Sequence, residues 1–204
     1  MKRLFACALV LMLPLFSGCE QRLFHFVVTV DRTVPFQFDD ADGTFDGSAV
    51  ITRDDVLNAL DIPKSARITS VDIESLALRV AVKPENQARS LTVSGEVYDV
   101  VQDKAKMFDN YPIVLAGANV PYVGLNSLIE SGITKLRNKI EGFVKQLDST
   151  SFFVEVSGQS VPAGSAVAVE LTLQIKATVK YDECLDVPLG ASGEDCPEKD
   201  LVSP

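Results

Sequence analysis

Histidine occurs once in the 204 residues, at His25, and basic side chains are outnumbered by acidic ones, 19 to 28. A lone imidazole has no histidine partner with which to build a metal centre. His25 also sits in a strand-like stretch, where it reads as a surface or half-buried residue. The usual signatures of catalysis are missing as well: there is no Gly-x-Ser-x-Gly elbow, no His-Glu-x-x-His and no phosphate-cradling glycine loop. With 28 carboxylates in the chain, no single pair stands out as an acid–base couple. No catalytic residue, cofactor site or metal ligand is therefore nominated, and an enzyme is not the expected class. The deficit of positive charge repels phosphate backbones, so nucleic acid is not an expected partner.

One acidic cluster invites a metal reading, Asp39-Asp40-Ala41-Asp42-Gly43-Thr44-Phe45-Asp46-Gly47. As a calcium loop it would place Asp42, Thr44, Asp46 and Gly47 at positions 1, 3, 5 and 6. Position 12, which needs a bidentate glutamate, is Arg53. Aspartate and glycine together are also what tight turns require, so a solvated hairpin connection is expected here.

Long apolar runs are scarce too. Leu4 to Leu15 gives twelve apolar residues behind Lys2 and Arg3, with Ser17 and Gly18 following. Twelve helical residues rise about 18 Å, against a hydrocarbon core of about 30 Å, too short to stay as a spanning helix. The order of charged, apolar and small residues is that of a cleaved secretory signal.

The residues at the cut, Leu15-Phe16-Ser17-Gly18-Cys19, resemble the lipobox of bacterial lipoproteins, with Phe16 where leucine is commonest. The resemblance covers the signal alone. It implies cleavage after Gly18 and a diacylglyceryl group on the Cys19 thiol, with the new amine acylated. Several acyl chains, at about 0.8 kcal/mol per buried CH₂, form a lasting membrane anchor. Glu20 stands where an aspartate would resemble an inner-membrane retention signal, which favours the outer membrane in a Gram-negative cell.

Cleavage leaves 17 basic against 28 acidic side chains, a net charge of −11 over 186 residues. Of the four cysteines, Cys7 leaves with the signal and Cys19 carries lipid, so Cys184 and Cys196 are expected to pair in an oxidising compartment. A closed loop of about thirteen residues contributes roughly 3 kcal/mol by constraining the unfolded chain. A redox or metal role for this pair lacks both Cys-x-x-Cys spacing and a histidine partner.

The rest of the chain is patterned mainly as strands. Phe24, Phe26, Val28 and Val30 share one parity in a strand expected to break near Pro35. Thr52 and Asp55 form a capping box opening a short helix over about 53–60, with Val56, Leu57 and Leu60 on one face. From Arg67 to Val82 the inward parity switches between Ile73 and Leu76, which predicts a bulge near Glu74-Ser75 or a strand crossing between sheets. Leu91, Val93, Val97 and Val101 define the next strand, expected to pair with its predecessor through 83–89. Pro112 and Pro121 bracket a short strand and turn.

Ser127 and Glu130 read as a capping box opening one long amphipathic helix over about 127–147. Its stripe runs through Leu128, Ile133, Leu136, Ile140, Phe143 and Leu147. Gly132 and Gly142 each cost that helix about 1 kcal/mol relative to alanine. Last comes unbroken alternation from Val167 to Tyr181, about 50 Å of strand with one face buried.

These elements predict a mainly β fold, an antiparallel sheet or β-sandwich with the long helix packed on it. The expected divisions are a signal at 1–18, a lipidated tether at 19–23, one mainly β domain at 24–196 and a mobile tail at 197–204. The expected function is a lipid-anchored binding or structural module of the cell envelope, whose partners are the membrane and an envelope protein or glycan. The alternative is a carrier holding lipid or another apolar ligand between the long helix and the sheet.

Overall fold

In a computed structural model, residues 19–63 and 65–197 are described. The expected signal at 1–18 and all of the expected tail beyond Pro197 lie outside the described residues. The described elements are β1 (Cys19–Asp40), β2 (Thr44–Ile51), α1 (Arg53–Leu60), β3 (Arg67–Val82), β4 (Ser90–Tyr98), β5 (Ala105–Val114), β6 (Asn119–Gly124), α2 (Glu130–Val144), β7 (Phe152–Val161), β8 (Val167–Pro188) and β9 (Glu194–Asp195). They form two antiparallel sheets, one of order β6-β3-β8-β1-β9 and one of order β2-β7-β4-β5.

The alternation in β8 sets the first sheet. Val167, Val169, Leu171, Leu173, Ile175, Ala177, Val179 and Tyr181 are all buried. Val167, Val169, Leu171, Leu173, Ile175 and Val179 share one hydrophobic cluster with Leu91, Val93, Val97, Phe152, Val154 and Val156 of the second sheet, the arrangement of a β-sandwich. β1 pairs with β8 along its whole length, from Cys19 opposite Pro188 to Asp40 opposite Val167. The two make a ribbon of 22 residues each, whereas the strands of the second sheet have eight to ten. The ribbon is thus about twice as long as the strands of the second sheet, and its Glu183–Pro188 end runs beyond the ladder with β3.

Pro35 does not break β1, because β9 pairs with β1 only at Arg22 and Leu23 and leaves the edge free beside Pro35. An edge strand tolerates a missing N–H. Residues 19–23, expected as a tether, are instead the first part of β1, laddered onto β8. The expected bulge in β3 is present: its register against β8 shifts between Ile73 and Ser75, and again between Ile68 and Ser70. Such insertions increase local twist and curl the sheet.

Three expectations about pairing and extent are corrected. β3 and β4 are not partners but lie in different sheets. The 83–89 connection crosses between the sheets, held where the Lys83 N–H donates to the Ala168 carbonyl (2.9 Å) and the Arg89 N–H to that of Val161 (3.0 Å). Val101 leaves the strand for a short 3₁₀ turn and is 66 % exposed. The Asp39–Gly47 turn is tight as expected, yet it leads β1 into β2 of the other sheet rather than closing a hairpin. Gly43 holds φ +82° there, and its carbonyl accepts from the Ser160 N–H at 2.7 Å.

The helices fill the end of the sandwich that the second sheet does not reach. α1 begins at the Thr52–Asp55 capping box and buries Val56 and Leu60. The long helix over 127–147 is not formed. α2 has fifteen residues, about 22 Å. Its N-cap is Ile129 with no side-chain cap, because the Ser127 hydroxyl turns to Asn126. The Ile129 N–H instead donates to the Met107 carbonyl of β5 at 2.8 Å. At the other end Gln146 takes φ +60° and leaves Leu147 80 % exposed. The central stripe, Leu136, Ile140, Phe143 and Val144, is buried as core.

Candidate functional site

The structure collects three of the residues singled out in the sequence at the far end of the β1–β8 ribbon. Cys19 is exposed and outside any disulfide. Cys184 and Cys196 are bonded, their Cα atoms 6.0 Å apart. Cys184 lies opposite Leu23, and the loop it closes returns as β9 along Arg22 and Leu23. Charge pairs hold this end together: Arg22 bonds Glu20 at 3.0 Å and also engages Asp195.

His25 belongs to the same end, where the fold supplies what the sequence neighbourhood lacks. Its Nδ1 lies 2.5 Å from an Asp182 oxygen and its Nε2 3.5 Å from Glu194. The hydrogen bond to Asp182, with its charge and that of Glu194 behind it, holds the imidazole above its ordinary pKa. Among the described residues the side-chain partners of the ring are Asp182 of β8 and Glu194 of β9. With the ring 61 % exposed, it acts as an ion pair pinning β9. The signal for it was absent from the local sequence, since Asp182 is 157 positions away.

Asp42, the first position of the failed calcium loop, is spent within its own turn. Its carboxylate accepts from the Thr44 N–H (3.1 Å) and hydroxyl (3.0 Å), which lowers its pKa. On the solvent side of α2, Asp99 bridges Lys139 (2.9 Å) and Lys135 (3.2 Å), and Lys139 also reaches Asp148 (2.9 Å). The Lys139 hydrogen bond, reinforced by Lys135, holds the Asp99 carboxyl far below the usual range. Glu74, left unpaired at the β3 bulge, accepts from the Thr178 hydroxyl and lies 3.3 Å from Lys176. Each of these charges is matched locally, as a structural network requires. Among the described residues no group of three or more histidine, cysteine or acidic side chains could hold a metal.

Besides a shallow polar hollow along α2 between Ser131 and Asp148, two concavities lie beside the helices. One, an apolar void of about 40 Å³, lies among Val30, Leu60, Ile140, Phe152 and Ile175, with room for about one water molecule. The other is a cleft of about 660 Å³, within the range of small-molecule sites, between α1, Asp61, Ile62, Pro63 and Ala66 after it, and the end of α2. Leu57, Ile68 and Val144 give it an apolar floor, and Asp54, Asn58 and Gln146 a polar rim. Arg53 stands at its back, its Nε donating to the Phe143 carbonyl at 3.2 Å and satisfying the C-terminus of α2. Leu57 was legible as part of the α1 stripe. The cleft was not, because it depends on Asp61 and Gln146 both turning the chain at positive φ.

No family model matches the chain, and no curated relative does. Its fold has distant likenesses among solved virus structures. These include a decameric BFDV capsid protein (TM-score 0.35, 8 % identity, over 78 % of this chain and 98 % of that one). An infectious bursal disease virus Gx strain structure gives TM-score 0.28 and 16 % identity, over 87 % of this chain and 39 % of that one. A VP2 subviral particle of infectious bursal disease virus gives TM-score 0.26 and 13 % identity, over 81 % and 37 %. At these scores the likeness carries no argument about what the chain does.

Proposed function

We propose that the chain is a lipid-anchored protein of the bacterial cell envelope, acylated on Cys19, whose β-sandwich serves as a rigid binding or structural module. In a Gram-negative cell the outer membrane is the favoured location. The observation that carries the reading is the division of labour among cysteines. Cys184 takes Cys196, which leaves Cys19, the residue at the lipobox cut, exposed at the tip of the ribbon. Close packing supports a module over a carrier. Leu136 and Phe143 are fully buried, and the void between helices and sheet holds about one water, not an acyl chain. Within this reading the α1 cleft is the concave surface offered to an envelope protein or glycan.

The test is to express the full chain and its Cys19→Ser variant in a bacterial host and follow both into detergent. The expected outcome is a wild-type protein that partitions with membranes and carries acyl mass on Cys19, and a variant that stays in the aqueous phase. Equal partitioning would refute the anchor. Native mass spectrometry of residues 20–204 discriminates the second class: a retained apolar molecule would reinstate the carrier.

A further inference from the structure

The ribbon tip carries a feature that the lipid anchor alone does not use. β8 ends in a turn, closed where the Ala191 N–H donates to the Pro188 carbonyl at 3.1 Å. Gly190 takes φ +86° in that turn, and Leu189 stands ahead of it, 62 % exposed. The turn is stiff, because the Gly190 N–H donates to a Glu20 carboxylate oxygen at 3.0 Å and Glu20 is itself held by Arg22. Pro188 lies directly opposite Cys19 in the ladder. Residues 19–23 are strand rather than tether, so no slack separates acyl chains on Cys19 from this turn.

From this juxtaposition we propose that the Pro188–Ala191 turn is a second membrane contact, with Leu189 entering the head-group boundary beside the lipidated Cys19. The proposal rests on the anchor reading. Two contacts one strand apart fix the ribbon's direction relative to the bilayer, where a single lipid on a flexible tether would let the domain swing. The chemistry selects the lipid. The same end carries Glu20, Asp182, Glu183, Asp186, Glu194 and Asp195 against Arg22 and His25, a net acidic balance that suits a zwitterionic surface and is repelled by an anionic one. Asp186, two residues before Pro188, stands about 7 Å back along the strand, which limits entry to the leucine and its turn.

The absence of tryptophan makes the test clean, since any tryptophan introduced is the only one in the chain. Leu189→Trp in the full lipidated chain, with the acyl mass on Cys19 verified, is placed in phosphatidylcholine and phosphatidylethanolamine vesicles. Val27→Trp is the second reporter, replacing a residue that is 64 % exposed and about 27 Å along β1 from Cys19. The expected result is a shift of the position-189 emission to shorter wavelength, with loss of acrylamide quenching and gain of quenching by brominated lipid. Position 27 should behave as it does in solution. Lipidated protein whose position 189 stays open to acrylamide overturns the contact while the anchor stands. Quenching of both positions by brominated lipid overturns it too, because the domain then lies flat. A chain without acyl mass on Cys19 overturns the anchor reading, and the proposal falls with it.

Discussion

Replacing Gly132 by alanine opposes two well-calibrated effects in one helix. By propensity, alanine in a helix interior is worth about 1 kcal/mol over glycine, so the change should stabilise α2. The packing says otherwise. A Cβ at position 132 would stand 2.1 Å from the Lys106 carbonyl oxygen and 2.6 Å from the Met107 nitrogen, both backbone atoms of β5. Side-chain Cβ atoms do not approach closer than 3.0 Å, so the helix has to retreat by about 1 Å. Retreat strains the 2.8 Å bond from the Ile129 N–H to the Met107 carbonyl and loosens the contacts beneath Leu136, which is fully buried. Overpacking costs up to about 3 kcal/mol, which after the propensity gain leaves a net loss of about 2 kcal/mol. In a domain of this size that lowers the thermal midpoint by about 4–8 °C. Urea unfolding of residues 20–204 measures it directly. Gly142→Ala is the comparison on the same helix, since its nearest neighbour would be the Asp148 Cβ at 3.1 Å, a contact that needs a shift of only a few tenths of an ångström. It should lie within about 0.5 kcal/mol of wild type, propensity offsetting the contact. A Gly132→Ala protein as stable as wild type, or more so, would refute the claim that backbone contact with β5 sets the position of α2.

Two further outcomes are expected. Asp99→Asn should lower stability at neutral pH by about 1 kcal/mol and flatten its acid dependence. Because Lys139 and Lys135 depress the Asp99 pKa, the wild-type contribution is full above the ordinary value of 3.8 and is lost as pH falls from there towards the folded-state pKa. Urea midpoints at pH 7 and pH 3 that differ from wild type by the same amount would count against it. Cys184 and Cys196 should resist alkylation until reduced. Reducing them should cost the global transition less than the roughly 3 kcal/mol of the chain-entropy estimate, because the loop closes at the ribbon end outside the sandwich. Hydrogen exchange should accelerate over residues 19–25 and 182–197 only. Faster exchange throughout β4 and β7 would show the disulfide to be coupled to the core.

Local chemistry was legible in the sequence wherever neighbours along the chain decide it. The inward set of β8, though not the burial of Ala168, Thr172 and Thr178 on its other face, the bulge that switches the face of β3 between Ile73 and Ser75, the Thr52–Asp55 cap and the Cys184–Cys196 pair all follow from spacing and composition. Partnership was decided by tertiary structure. Alternation marks which side of a strand is buried but not against what, so β3 and β4 read as a hairpin although their connection crosses between sheets. The same holds for α2. Its apolar stripe is genuine, but the helix stops short at both ends, because the Ile129 N–H is taken by β5 and Gln146 turns to positive φ. Gly132 looked like a helix defect and is the point of closest approach to β5. His25 looked isolated and has Asp182 beside it. Periodicity is a property of a few consecutive residues, whereas pairing and close approach join residues far apart in sequence, and the fold is the first level at which they meet.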